Sequence, residues 1–190
     1  MARVLGFHFI FSAYGFWLPN DPRGSWSDVI RAFHLLKFGR ATKVSTTRSV
    51  AGVAHDRHAR DAAKRALRYP PVEFTGEQAR LIVIGFGEAV KEAGYVLQAL
   101  AVLPDHVHIV MAWHPRHVDG IAAHLKAKAT MAMSAAGLHP LAVFADARGR
   151  RPSPWARNYW CPFLWDEKHF ATAIRYVEAN PIKAGLRRQR

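Results

Sequence analysis

The sequence has little cysteine, few acidic residues and no long apolar run, and each shortage excludes a class of protein. Cys161 is the only cysteine among 190 residues, which excludes an internal disulfide and a zinc site built from several cysteines. The apolar stretch at 81–86 is soon followed by Glu88 and Lys91, well short of the roughly 18 uncharged residues of a membrane-spanning helix. We therefore expect a cytoplasmic protein that does not enter a membrane.

Basic residues greatly outnumber acidic ones. The chain has 27 Lys and Arg against 14 Asp and Glu, a formal net charge of +13 with neutral histidines. This surplus favours an anionic partner, and nucleic acid is favoured over a membrane surface because no basic amphipathic helix with a broad apolar face stands out. Hydrophobic residues make up 50% of the chain, which excludes wholesale disorder and suits a folded domain.

The order of predicted elements indicates a single α+β domain spanning 1–190. Segments rich in aromatic and β-branched residues alternate with segments of helical periodicity, in the order strand, helix, strand, strand, helix, strand, helix. This order predicts a ferredoxin-like fold, a central antiparallel sheet with helices packed on it. The predicted strands are 4–11, 95–103, 106–113 and 158–165, and the predicted helices are 75–94, 118–136 and 167–179, the last of them ended by Pro181.

An insertion at about 25–71 interrupts this order. Apolar periodicity weakens there and charge rises, most clearly at 57–68, where basic residues outnumber Asp56 and Asp61. Two interpretations of this segment stay open. It is either a charged helix face that contacts only water or a surface that follows a phosphate backbone.

A histidine pair lies on the third predicted strand. His106 and His108 are two residues apart, so they point to the same face about 6.8 Å apart along the chain, where two imidazoles can bind one divalent ion. With 11 histidines in the chain, such a pair also arises by chance on a solvent-facing strand. His8, on the first strand, is expected to be a packed strand residue rather than a further ligand.

The last predicted helix carries a tyrosine and an asparagine one turn apart. Tyr176 and Asn180 are four residues apart, so their side chains differ by roughly 40° around the helix and can project toward the same place. Alternatively, Tyr176 is a half-buried aromatic at the edge of the core and Asn180 is a helix stop before Pro181.

Together these motifs resemble a known family. The segments PDHVHIV at 104–110 and YVEANPIKAGL at 176–186 are similar to those of the single-tyrosine HUH transposases of the IS-two-hundred-like superfamily, especially the REP-associated tyrosine transposases. The segments YGFWLPNDPRGSW at 14–26 and WARNYWCPFLWDE at 155–167 also look like that branch. Residues 29–71 match no motif of the family.

The resemblance implies the HUH endonuclease fold and a metal-dependent endonuclease and strand transferase that cleaves single-stranded DNA near a hairpin through a 5′-phosphotyrosine intermediate. It implies His106 and His108 as metal ligands, Tyr176 as the nucleophile and Asn180 as the third ligand. Mg²⁺ is the expected ion because it is abundant, and Mn²⁺ would suit the imidazole ligands. The resemblance also implies a homodimer.

Several basic and aromatic residues are candidates for contacts with DNA. Lys126 and Lys128 cannot share a helix face, so at most one of them is expected to face the site. The aromatic candidates for stacking on unpaired bases are Trp17, Trp26, Tyr159 and Trp160, for each of which core packing is the alternative. The candidate phosphate contacts are Lys126, Lys128, Arg148, Arg150, Arg151, Arg187, Arg188 and Arg190.

Two other functions remain open at this point. One is a domesticated protein with the same chemistry that processes chromosomal repeats instead of moving an element. The other is a non-catalytic, basic nucleic-acid-binding protein whose histidines and Tyr176 serve packing and stacking.

Overall fold

Four antiparallel strands form one sheet in the computed structural model, which describes residues 3–46 and 49–189. The strands are β1 (Gly6–Ser12), β2 (Leu97–Val102), β3 (His106–Ala112) and β4 (Phe163–Leu164), and their order across the sheet is β2-β3-β1-β4. The helices are α1 (Arg57–Arg65), α2 (Gly76–Ala93), α3 (Val118–Ala135) and α4 (Glu167–Lys183). The predicted α+β, ferredoxin-like fold is confirmed, with β1 and β3 at the centre of the sheet.

The pairing of β1 with β3 gives the sheet two different faces. Phe7, Phe9 and Phe11 lie opposite Met111, Ile109 and Val107, and their side chains share the face that packs against α2 and α3. The alternate residues of both strands face the other way, toward α4. The larger hydrophobic core therefore lies between the sheet and the α2–α3 pair, and α4 covers the opposite face alone.

The start of α2 agrees with its sequence signal. Thr75 accepts a hydrogen bond from the backbone N–H of Gln78, and the Gln78 side chain accepts one from the backbone N–H of Thr75, which is the predicted capping box. The helix ends before Gly94, whose φ of 69° is in the left-handed region.

The predicted end of α4 is wrong. The helix begins at its predicted cap, where Asp166 accepts the backbone N–H of His169, but it continues through Pro181 to Lys183. A proline in the last turn removes a single backbone hydrogen bond, and the Ala184 N–H still reaches the Asn180 carbonyl at 3.0 Å. The Pro181 ring is buried in the same stripe as Val177 and Ala173, so packing offsets the lost bond.

The fourth predicted strand is shorter than expected. Regular pairing with β1 is confined to Phe163–Leu164, and Trp160 forms an isolated bridge with Ile10. Pro162 lies between these two pairings and has no N–H to donate, although its carbonyl accepts from His8 at 3.0 Å.

The segment predicted as an insertion packs into a small hydrophobic cluster together with Leu18, which precedes it. In this cluster Leu18 is buried with Ile30, with Leu35 of the 3-10 helix at Phe33–Phe38 and with Ala63 of α1. The description of the chain as one domain with an insertion stays a prediction. None of the helices in the described ranges is long and apolar enough to cross a membrane.

Two glycines of α2 should respond to alanine in opposite directions. A Cβ on Gly85 would lie 2.5 Å from the Lys128 carbonyl oxygen of α3, whereas a Cβ on Gly87 would meet no atom within 4 Å. We expect Gly85→Ala to lower the free energy of unfolding by about 1–3 kcal/mol because α2 and α3 must separate. Gly87→Ala should raise it by roughly 0.5–1 kcal/mol through helix propensity. Urea unfolding measures both, and equal effects would contradict the close approach of the two helices.

Candidate functional site

The two histidines of β3 share the face of the sheet that α4 covers, as strand alternation predicts. The His106 and His108 ring centroids lie 4.8 Å apart. His108 is buried, with 3% of its surface exposed, whereas His106 is half-buried nearer the strand end.

Helix α4 brings Tyr176 to this pair. At one end of the helix, Gly6 lies so close to the Phe170 ring and to the Met111 carbonyl oxygen that a side chain at residue 6 would collide with both. Farther along, the Tyr176 ring centroid lies 5.5 Å from that of His108. Tyr176 is 42% exposed, so it lies at the edge of the protein beside the histidines, where solvent reaches it.

Asn180 stays in helical geometry despite the proline that follows it. It lies one turn beyond Tyr176. Phe170 lies near the Met111 end of β3 and Tyr176 lies near His108, so α4 runs toward the His106 end of that strand. Its Nδ2 atom is buried and has no hydrogen-bond partner among the described residues. The two ends of a carboxamide have nearly the same shape, so the Asn180 side chain can present either Oδ1 or Nδ2 at this buried position.

The Nδ1 atoms of both β3 histidines are engaged inside the protein. The Nδ1 of His106 lies 2.6 Å from Oδ1 of Asp105, and the Nδ1 of His108 lies 3.1 Å from Nε2 of His8. His8 was expected to be a packed strand residue, and it is buried, but it also contacts His108 directly. It does so because Ile10 pairs with His108, which places His8 two residues away on the same face.

Burial keeps two of these imidazoles neutral near pH 7. It lowers the pKa of His108 to about 2, with further contributions from the charges of His106 and His8. Burial also lowers the pKa of His8 to about 4. A neutral imidazole keeps a lone pair on one ring nitrogen, and a metal ligand needs that lone pair.

A cavity of about 410 Å³ opens beside the histidines and Tyr176. The Phe16 ring stacks on His106, with centroids 5.2 Å apart and an interplanar angle of 5°. The Trp26 ring stacks on Trp160 at 5.5 Å. All four aromatic residues singled out from sequence line this cavity, namely Trp17, Trp26, Tyr159 and Trp160. Phe16 was not singled out, because nothing local to it indicates a contact with residue 106.

The two candidate lysines of α3 point in different directions, and both ammonium groups have partners within the protein. Lys126 Nζ donates to the carbonyls of Ala156 at 3.0 Å and Asn158 at 3.3 Å, behind a loop that lines the cavity. Lys128 forms an ion pair with Glu92 of α2. Neither ammonium group is placed in the cavity as a free phosphate contact.

The structure does not gather the candidate arginines around the histidines. Arg150 pairs with Asp146 at 2.8 Å, and Arg151 lines a separate groove together with Lys126 and His139. Arg148, Arg187 and Arg188 are exposed, and Arg190 lies outside the described residues. Their contacts with DNA stay predictions.

One curated protein resembles part of the chain in sequence. Over 92 residues the chain is 30% identical to a protein of Haemophilus influenzae named as a REP-associated tyrosine transposase. The match covers 46% of this chain and 49% of the relative, so it spans about half the length of that protein. No protein-family model matches the chain.

A solved structure shares the fold. The structure of a REP-associated tyrosine transposase bound to a REP hairpin superposes with a TM-score of 0.50 at 12% identity, covering 96% of this chain and 70% of that chain. This likeness shows the fold. The relative in sequence confirms the resemblance to REP-associated tyrosine transposases that the motifs indicate.

Lys126 should make stability depend on pH in the alkaline range. Burial lowers the pKa of Lys126 to about 8, so between about pH 8 and its ordinary value of about 10.5 the unfolded chain binds more protons than the folded protein. The contribution of Lys126 to the free energy of unfolding therefore rises with pH over this range. Urea unfolding of the wild type and of Lys126→Met at a series of pH values should give two free energies of unfolding, and their difference should grow in favour of the wild type as the pH rises. A constant difference would contradict the depressed pKa.

Proposed function

We propose that this chain is a divalent-metal-dependent endonuclease and strand transferase that cleaves single-stranded DNA near a hairpin, with Tyr176 as the nucleophile. One observation carries the proposal. A partly exposed tyrosine on α4 lies with its ring 5.5 Å from His108 of the β3 histidine pair, at the same cavity. The Haemophilus influenzae relative named as a REP-associated tyrosine transposase supports a role in DNA processing.

His106 and His108, which line the cavity, and Asn180 on α4 are residue types that fit a divalent ion. Within residues 3–46 and 49–189, no group of three or more His, Cys, Asp and Glu side chains could hold a metal, so a third protein ligand must be of another type. The buried carboxamide of Asn180 has an atom without a partner and lies one helical turn beyond Tyr176. We therefore assign His106, His108 and Asn180 as the ligands, with Mg²⁺ as the ion in the cell and Mn²⁺ as an effective substitute.

Cleavage would proceed by attack of the Tyr176 hydroxyl oxygen on the scissile phosphorus. A bound divalent ion would neutralise the charge of the phosphate oxygens and orient the phosphate. The new phosphorus–tyrosine bond forms as the bond to the 3′-oxygen breaks, which leaves a 5′-phosphotyrosine and a 3′-hydroxyl. The phenol proton passes to water, which reaches the exposed Tyr176 side chain, and the departing 3′-oxygen takes a proton from water.

Strand transfer would be the reverse reaction with a different DNA end. A second 3′-hydroxyl attacks the phosphotyrosine, a phosphodiester forms, and Tyr176 recovers its proton. The covalent link conserves the energy of the original phosphodiester, so rejoining needs no ATP. One tyrosine at one site can therefore both cut and join.

The walls of the cavity suit unpaired bases. Aromatic rings line it and offer stacking partners that a paired duplex cannot use, since bases inside a duplex already stack on each other. The net charge of +13 supplies attraction for the DNA backbone. The solved transposase with this fold is bound to a REP hairpin, which supports a hairpin-bearing substrate here. We retain the homodimer as part of this proposal.

Tyr176→Phe should abolish covalent attachment to DNA while leaving DNA affinity largely intact, because it removes the attacking oxygen and little else. The test incubates purified protein with a labelled pool of hairpin-bearing single-stranded oligonucleotides and Mg²⁺ or Mn²⁺, followed by denaturing gels and mass spectrometry. Tyr69→Phe is the matched control, since Tyr69 lines the separate groove. An adduct mapped to another residue, or binding without an adduct for every substrate and metal, would overturn the proposal.

His106→Ala and His108→Ala should each reduce the rate of cleavage by at least about 100-fold, because each variant loses a ligand of the ion that stabilises charge in the reaction. A chelator should have the same effect on the wild type, and added Mn²⁺ should restore activity to the wild type but not to the variants. His58→Ala, at an exposed histidine of α1, is the control. Cleavage that survives chelation would show that the reaction does not need a metal.

A further inference from the structure

His8 and His108 form a buried pair that links two strands. The His8 Nε2 lies 3.1 Å from the His108 Nδ1, and the ring centroids are 5.2 Å apart with planes inclined by 32°. Only 8% of His8 and 3% of His108 is exposed, so water does not compete for this contact. Two neutral imidazoles at this distance need one N–H and one lone pair between them.

The neighbouring histidine is held in a comparable way by a different group. The Nδ1 of His106 lies 2.6 Å from the Asp105 carboxylate, which accepts hydrogen bonds, so this Nδ1 carries the proton. The other nitrogen of His106, Nε2, then has its lone pair free. Among the described residues, neither the Nε2 of His106 nor that of His108 has a hydrogen-bond partner.

We propose that His8 is a positioning residue that holds His108 in the tautomer with the proton on Nδ1, so that the lone pair of Nε2 is available to a divalent ion. His108 then donates from Nδ1, and His8 accepts at Nε2. The inference rests on the proposed function, in which His108 is a metal ligand. Asp105 and His8 thus prepare the two β3 histidines to bind through the same ring nitrogen.

The position of His8 follows from the register of the sheet. Ile10 pairs with His108, and His8 lies two residues away on the same face, so its ring reaches His108 diagonally across the strands. His8 also lies beside Tyr176, with ring centroids 6.0 Å apart. A packing role alone would depend on the shape of this ring, whereas the proposed role depends on an acceptor at its Nε2 position.

That difference defines the variants. Gln places an amide at nearly the position of His8 Nε2, and its oxygen can accept the His108 N–H. Phe keeps a ring of similar size and removes the acceptor. His58→Gln, at an exposed histidine of α1, controls for the loss of one histidine. Thermal unfolding establishes that each variant is folded before it is compared.

The experiment has one measurement without metal and one with it. Nitrogen-15 NMR of histidine-labelled, metal-free protein reports the tautomer of His108, whose signals are assigned by their absence in His108→Gln. Calorimetry with Mn²⁺ then gives the affinity of each variant. We expect the Nδ1–H tautomer of His108 in the wild type, His8→Gln and His58→Gln, and its loss in His8→Phe. Mn²⁺ affinity should fall about 10–100-fold in His8→Phe and stay close to the wild type in His8→Gln.

Each outcome decides the inference. Retention of the Nδ1–H tautomer and of Mn²⁺ affinity in His8→Phe would overturn it, as would an equal loss of affinity in His8→Gln and His8→Phe. If the tautomer of His108 depends on His8 but the wild-type protein binds no Mn²⁺, the positioning role of His8 is supported and the metal site is overturned. Failure of this inference and failure of the proposed function are therefore distinguishable.

Discussion

The register of β1 on β3 is the constraint on which the rest of the structure depends. With Ile10 opposite His108, every apolar side chain of the β1 phenylalanine series meets an apolar partner of β3 on the α2–α3 side. The same register places His8 beside His108 on the opposite side. A slip of β1 by one residue would turn its phenylalanines toward α4 and would turn His8 toward the main core, away from His108. The register that buries the phenylalanine side chains on one face therefore also brings the histidines of the two strands together on the other face.

On the polar face, the buried imidazoles of His8 and His108 satisfy one ring nitrogen of each other. Neutral imidazoles cost less to bury than charged ones, and the His8–His108 contact pairs a donor with an acceptor where water is excluded. Helix α4 covers this face through Ala173 and Val177, which pack with Val110. Beyond that apolar contact the helix reaches the cavity, and Tyr176 lies at its edge. The candidate site thus lies where α4 stops packing against the sheet and the cavity begins.

The interpretation of single motifs succeeded where the evidence was local. The capping box at Thr75, the cap at Asp166 and the shared face of His106 and His108 each depend on residues within four positions, and each is present. The predicted end of α4 was wrong because the rule that a proline ends a helix does not take account of the burial of the Pro181 ring. The contacts of Lys126 were missed because Ala156 and Asn158 are 30 or more residues away.

By itself, the sequence determined the order of the elements outside the segment at 25–71, the side of β3 on which the histidines project and the one-turn spacing of Tyr176 and Asn180. These follow from the backbone geometry of strands and helices, which repeats every few residues whatever surrounds it. Only the tertiary structure decided that His8 touches His108, that Phe16 stacks on His106 and that α4 lays Tyr176 against the pair. Those contacts join residues 68 to 100 positions apart. The burial of whole faces selects them, and no local pattern in the sequence indicates them.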